Sequence, residues 1–153
     1  MPTADGAIAP SEHRFAVRVY YEDTDAVGVV YHANYLRYAE RARTEMLRCL
    51  GLEHGGLSAR LGLAFTVRRC VVDYLAPAQL DDRLEVRTGL ARLRGASFDL
   101  EQRIFRDERL LARLDVRLAL ISPTLRPVRL PRALLDALAP LRHDRPAKAG
   151  SGA

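Results

Sequence analysis

Most residues whose types and spacing could do chemistry fall in one stretch, Tyr20 to Arg48: YYEDTDAVGVVYHANYLRYAERARTEMLR. Calcium is the first chemistry to test. Asp23, Asp25 and Gly28 fall at positions one, three and six of a twelve-residue loop. Position five is then Val27 and position twelve is Asn34, whereas an EF-hand needs an oxygen ligand at the one and Glu at the other. Zinc fails as well, because His13, His32, His54 and His143 are scattered without a ligand at i, i+4. A phosphate loop is excluded, since the turn has one glycine and no GK[ST] follows it. No metal or cofactor is expected.

What remains is a carboxylate at the end of a strand, with His32 seven residues after Asp25 at a helix start. The first turn of a helix has amide donors without intrahelical partners and carries partial positive charge. Such a terminus can hold an oxyanion. A carboxylate facing it could act on a carbonyl as nucleophile or general base, which is the geometry of acyl transfer. On the chemistry alone a second reading stands beside this one: two aspartates that shape a turn and a histidine that precedes a helix cap.

The elements around this stretch follow from periodicity. Residues 14–22 alternate, with Phe15, Val17 and Val19 on one face, as a half-buried strand does. From Asn34 the spacing changes to three and four: Tyr35, Tyr38, Ala39, Ala42, Met46, Cys49 and Leu50. This predicts one amphipathic helix with Asn34 as N-cap and Gly51 as its stop. The small Ala39 and Ala42 would let a sheet approach closely. Residues 53–62 read as a loop or short irregular helix. Four strands follow, at 63–76, 83–94, 97–106 and 110–121, with Leu84, Val86, Phe98, Leu100, Gln102 and Ile104 inward. A change of phase between Val67 and Cys70 predicts a bulge near Arg68–Arg69. Gly95 and the RDER segment mark turns, and a short helix after Pro131 closes the domain. The fold class is therefore α+β, one early helix covering a curled antiparallel sheet.

Composition sets the bounds. The chain has 153 residues, 48% of them hydrophobic and 28% charged, enough for one globular domain. We expect a single domain over 14–141, with 1–13 and 142–153 as flexible termini. No apolar run reaches the ~20 residues of a membrane helix. The first dozen residues lack the basic start and apolar core of a secretory signal. Cys49 and Cys70 show no metal spacing and are expected as buried thiols in the cytoplasm. The formal charge is +5, and Lys148 is the only lysine among 24 basic residues, so 23 are arginine. Arginine suits carboxylate and phosphate partners. Nucleic acid is not expected, because the arginines alternate with acids and no basic stripe with stacking aromatics appears.

The words RVYYEDTDA, GVVYHANYLRYAERARTEMLR and RPVRLP resemble the signature of the hotdog-fold acyl-CoA thioesterases. More narrowly they resemble the Tol–Pal-associated branch of the 4-hydroxybenzoyl-CoA thioesterase-like group. The resemblance implies one long helix wrapped by a five-stranded antiparallel sheet. It implies hydrolysis of an acyl-CoA to a carboxylic acid and free CoA. Asp25, the second aspartate of the turn, would be the catalytic carboxylate, as nucleophile or general base. The backbone N–H of His32 would be the oxyanion donor, its ring assisting. Gly28, Tyr31, Asn34 and Tyr35 would line or brace the turn, and Glu40 would be structural. Arg94 and Arg126 would fall near the CoA nucleotide. The strand at 63–76 would pair with its twin across a two-fold axis, giving a homodimer or homotetramer in which residues near Thr66 of the other subunit reach the site. The family commonly has two glycines after DA, where this chain has Val27 and Gly28. If that backbone requires positive φ, Val27 is strained; otherwise the valine narrows the acyl entrance. A hotdog hydratase fits less well, since it would place Asp and His five apart around Asn-Pro. The reading from another class is a non-catalytic acyl-binding or envelope-complex module.

Overall fold

The structure is a computed structural model that describes residues 6–52 and 62–143. Strands β1 (Ala7–Ala9), β2 (Glu12–Arg18), β3 (Ala64–Tyr74), β4 (Arg83–Leu93), β5 (Ser97–Arg106) and β6 (Arg109–Ile121) form one sheet in the order β1-β2-β4-β5-β6-β3. Every strand pairing in it is antiparallel. The long helix α1 (Asn34–Cys49) packs on one face of the sheet, against β2 and β4, and α2 (Arg132–Leu138) follows Pro131.

The inward phase of the strands is as the alternation predicts. Leu84 and Val86 of β4, and Phe98, Leu100, Gln102 and Ile104 of β5, are all buried. Tyr35, Tyr38, Ala39, Ala42 and Met46 of α1 meet them, and the two alanines are fully covered. Each large apolar side chain so placed contributes about 1.5–3 kcal/mol. The helix stops where Gly51 takes φ +74°, its N–H on the Arg48 carbonyl. The pairing register of β3 with β6 shifts between Val67 and Arg69, which places the bulge at Arg68.

Several expectations need correction. The first long strand begins at Glu12, and Ala7–Ala9 adds a sixth strand, so pairing starts well before residue 14. A positive φ at Ser11 makes the tight turn between them. That strand ends at Arg18, because Tyr20 gives its N–H to the Asp23 carboxylate and the chain turns into a 3-10 segment, Tyr21–Asp23. At the other end His143 N–H bonds the Leu90 carbonyl, so ordered chain continues past residue 141. Asn34 is the first helical residue rather than the cap; Ala33 precedes it without a side-chain bond. Both cysteines are exposed, not buried. Cys70 lies on the edge strand β3, and Cys49 closes α1 with its sulfur 3.6 Å from Nε2 of buried His13. The expected loop at 53–62 lies almost wholly outside the described residues, as do His54 and Lys148.

Ion pairs on the sheet account for several of the arginines. Arg117 and Asp99 are register partners on β6 and β5, with Nε and Oδ1 2.9 Å apart, and Arg94 reaches the other Asp99 oxygen at 3.0 Å. Burial opposes the Asp99 charge, but the hydrogen bonds from Arg117 and Arg94 outweigh it and hold the carboxyl below the usual range. Arg113 with Glu101 (3.1 Å) and Arg87 with Glu85 (2.6 Å) continue the pattern.

Candidate active site

The turn from Thr24 to Val30 closes on itself through a bridge between those two residues, and Asp25 N–H bonds the Val29 carbonyl. Its two aspartates have opposite environments. Asp23 is buried: one carboxylate oxygen accepts Tyr20 N–H, while its carbonyl accepts Tyr31 N–H at 2.9 Å and the Asn34 side-chain amide at 2.8 Å. Asp25 is exposed, with Oδ1 accepting Val27 N–H at 2.9 Å; its Oδ2 makes no hydrogen bond among the described residues. One carboxylate braces the turn and the other is presented by it. Tyr38 lies beneath. Burial, with the Asp23 carboxylate adding to it, pushes its phenol far above the ordinary value.

Gly28 carries the positive φ of this turn, +90°, with open space where a Cβ would stand. Backbone conformation alone therefore asks for glycine there. Val27 is absent from the positive-φ residues and is 84% exposed, so the valine is unstrained.

His32 follows, just before α1. Neither its N–H nor that of Ala33 makes a hydrogen bond among the described residues. Both belong to the positive end of a sixteen-residue helix. The Tyr31 ring tilts against the His32 ring at 4.5 Å. Spacing gave no warning of Tyr74. From the end of β3 its hydroxyl donates to the His32 carbonyl at 3.0 Å, and its ring meets those of His32 and Tyr35 edge-on. Tyr35 is buried, and its hydroxyl accepts Ala78 N–H. Burial raises its pKa, and the Ala78 bond opposes that. Tyr74 was hidden because its partner is a backbone carbonyl forty-two residues away.

The remaining expected residues lie elsewhere in the chain. The Asp25 turn is fastened to the segment that enters β4, through Val30 N–H on Ala78 O and Asp81 N–H on Val19 O. Arg94 leaves the far end of β4, eleven residues and roughly 35 Å along the strand. Arg126 lies at that far end too, since Leu130 N–H from the RPVRLP segment bonds the Gly95 carbonyl. Thr66 pairs with Ala119 there, about 25 Å along β3 from Tyr74. The expected site thus divides between the two ends of the sheet. Asp25, Gly28, Tyr31, His32, Asn34 and Tyr35 gather at one, and Thr66, Arg94 and Arg126 at the other. Among the described residues no group of three His, Cys, Asp or Glu is placed to hold a metal. No helix among them is long and apolar enough to cross a membrane.

Residues 19–138 match the family model of the thioesterase-like superfamily. The chain is 44% identical over 124 residues to the acyl-CoA thioesterase YbgC of Haemophilus influenzae, covering 80% of this chain and 91% of that protein. It is 47% identical over 124 residues to the acyl-CoA thioester hydrolase YbgC of Escherichia coli O6:H1, covering 80% and 92%. Among solved structures, a probable thioesterase from Bartonella henselae superposes with a TM-score of 0.75 at 42% identity, over 78% of this chain and 99% of that one. A 1,4-dihydroxy-2-naphthoyl-CoA thioesterase from Synechocystis superposes with a TM-score of 0.77 at 27% identity, over 86% and 98%. With its helix wrapped by an antiparallel sheet and its matches running through both, the chain belongs to the thioesterase-like superfamily and is a thioester hydrolase of the hotdog fold.

Proposed function

We propose that the protein hydrolyses acyl-CoA thioesters to a carboxylic acid and free CoA, with Asp25 as the catalytic carboxylate. The observation that carries this is one compact turn bearing an exposed Asp25 carboxylate and, seven residues on, two uncommitted amides at the start of α1. The thioester carbonyl oxygen lies against the His32 N–H, where the helix terminus stabilises the charge that develops on it. Asp25 either attacks the carbonyl carbon, expelling the CoA thiolate and leaving a mixed anhydride that water then hydrolyses to the acid, or takes a proton from a water that attacks the carbonyl and expels the thiolate directly. Tyr31, Asn34 and Tyr35 brace the turn, and Gly28 permits it. Asp25→Asn, assayed by free-thiol release, is expected to lose at least about 10²-fold in kcat while remaining folded. Near-wild-type turnover in the folded variant overturns the assignment.

The working unit in this reading is a homodimer, or a homotetramer built from two such dimers, of a cytoplasmic protein of the Tol–Pal-associated branch. Its motive is physical. β3 is an edge strand with Val67 and Val71 exposed at 47% and 39%, which invites pairing. Antiparallel self-pairing sets the Thr66 end of one strand beside the Tyr74 end of its twin, reuniting the two halves of the site. Arg94 and Arg126 then bind the phosphates of CoA. Arg94→Ala and Arg126→Ala are expected to raise KM for CoA esters severalfold with little change in kcat; an unchanged KM removes them from the site.

A further inference from the structure

A cavity of about 260 Å³ lies between the second half of α1 and the first half of β3. Its walls are largely apolar, with Leu47, Leu63, Phe65 and Leu118 among them. Arg43 lines it too, and this residue has an unusual environment. Its guanidinium donates at 2.9 Å to the Gln102 side-chain oxygen, and among the described residues it has no other hydrogen-bond partner and no carboxylate at ion-pair distance. Gln102 is fully buried, and its amide nitrogen donates both to the Ala39 carbonyl and to Thr88 Oγ1. The orientation of Gln102 is thereby fixed, with its oxygen toward Arg43. Burial pulls the Arg43 pKa down, and Glu40, one turn earlier and lining the same cavity, supports the charge from a distance. A partly buried cation satisfied by one neutral acceptor is costly unless something else supplies the counter-charge. Part-buried arginines of the sheet such as Arg113 and Arg117 have carboxylates for this purpose; Arg43 of α1 has an open cavity.

We propose that this cavity receives the acyl group, and that Arg43 selects acyl groups whose far end carries an oxygen acceptor, a carboxylate above all. The proposal rests on the acyl-CoA reading and on the paired β3 strands, which set this cavity beside the twin's Tyr74 end. The apolar wall takes the methylene or aryl body. The guanidinium, held in place by Gln102, has free N–H groups for the terminal oxygens, and a charge-assisted bond of that kind is worth about tenfold or more in selectivity.

The test compares matched pairs of esters: adipoyl-CoA against hexanoyl-CoA, and hydroxybenzoyl-CoA against benzoyl-CoA. The wild type is expected to favour the oxygen-bearing member of at least the first pair by about tenfold in kcat/KM. Arg43→Met is expected to bring that ratio close to one, and Arg43→Lys, which keeps the charge, to retain part of it. Equal rates on both members in the wild type, or a ratio that survives Arg43→Met, overturn the proposal. Calorimetry of adipate and hexanoate binding to wild type and Arg43→Met separates the two claims. Turnover of no ester refutes the thioesterase reading, whereas selective adipate binding that depends on Arg43 would uphold the cation's role regardless. Hydrolysis of the esters by the wild type without selectivity, together with equal binding of the two acids to it, refutes the role of Arg43 alone.

Discussion

Asp23 and Asp25 stand two positions apart with the same side chain and do different work. The difference is one of partners. Asp23 is consumed by Tyr20 N–H through its carboxylate and by Tyr31 and Asn34 through its carbonyl, so it fixes where the helix begins. Asp25 spends one oxygen on its own turn and presents the other. The motif word alone could not divide these environments; resemblance pointed to Asp25, and its exposed oxygen is what supports that proposal. Tyr74 belongs to the same scale. Its hydroxyl holds the His32 carbonyl, next to the N–H to which the proposed mechanism gives the thioester oxygen. It is a positioning residue. Tyr74→Phe keeps the ring against His32 and Tyr35 and deletes one bond worth about 1 kcal/mol. We expect kcat to fall roughly fivefold with KM for acyl-CoA unchanged, and the thermal midpoint to drop by only a few degrees. A rise in KM without loss of kcat would mean that Tyr74 touches substrate rather than orienting the turn.

At the scale of elements, the sequence was legible wherever a period was clean. The α1 stripe, the inward residues of β5 and the bulge at Arg68 each follow from spacing, because a buried face tolerates one phase only. It was not legible where a short segment borrows its order from a neighbour. Ala7–Ala9 has no periodicity of its own and becomes a strand because β2 offers an edge. The arginines were the other obscure feature, since composition cannot distinguish a ligand site from a cross-strand ladder. Asp99 provides the check. Its folded pKa is depressed by Arg117 and Arg94 against the opposing effect of burial, so the stability it contributes is present at neutral pH. That contribution fades as pH falls through the ordinary carboxylate range toward the folded value. Asp99→Asn should therefore lower the urea midpoint at pH 7, and the gap from wild type should narrow steadily below about pH 4. A gap that is constant with pH would show that the ladder contributes nothing through charge.

For the whole molecule the decisive fact is a distance. The Asp25 turn and the Thr66–Arg94–Arg126 end of the sheet stand a strand length apart, and the proposed self-pairing of β3 would bring Thr66 of one copy to the Asp25 turn of the other. A composite site between two copies makes a prediction that a site within one chain does not. Asp25→Asn removes the carboxylate from one end. Val67→Trp fills the cavity at the other, where Val67 is 47% exposed and lines the wall. Each variant alone should be nearly inactive. In a mixed dimer one site carries both lesions and the other carries neither. Random exchange makes about half the dimers mixed, so equal amounts should recover about a quarter of wild-type activity. Light scattering on the same samples should report a dimer or a multiple of it. A monomer there, or mixtures no more active than their parents, would return the whole reaction to a single chain.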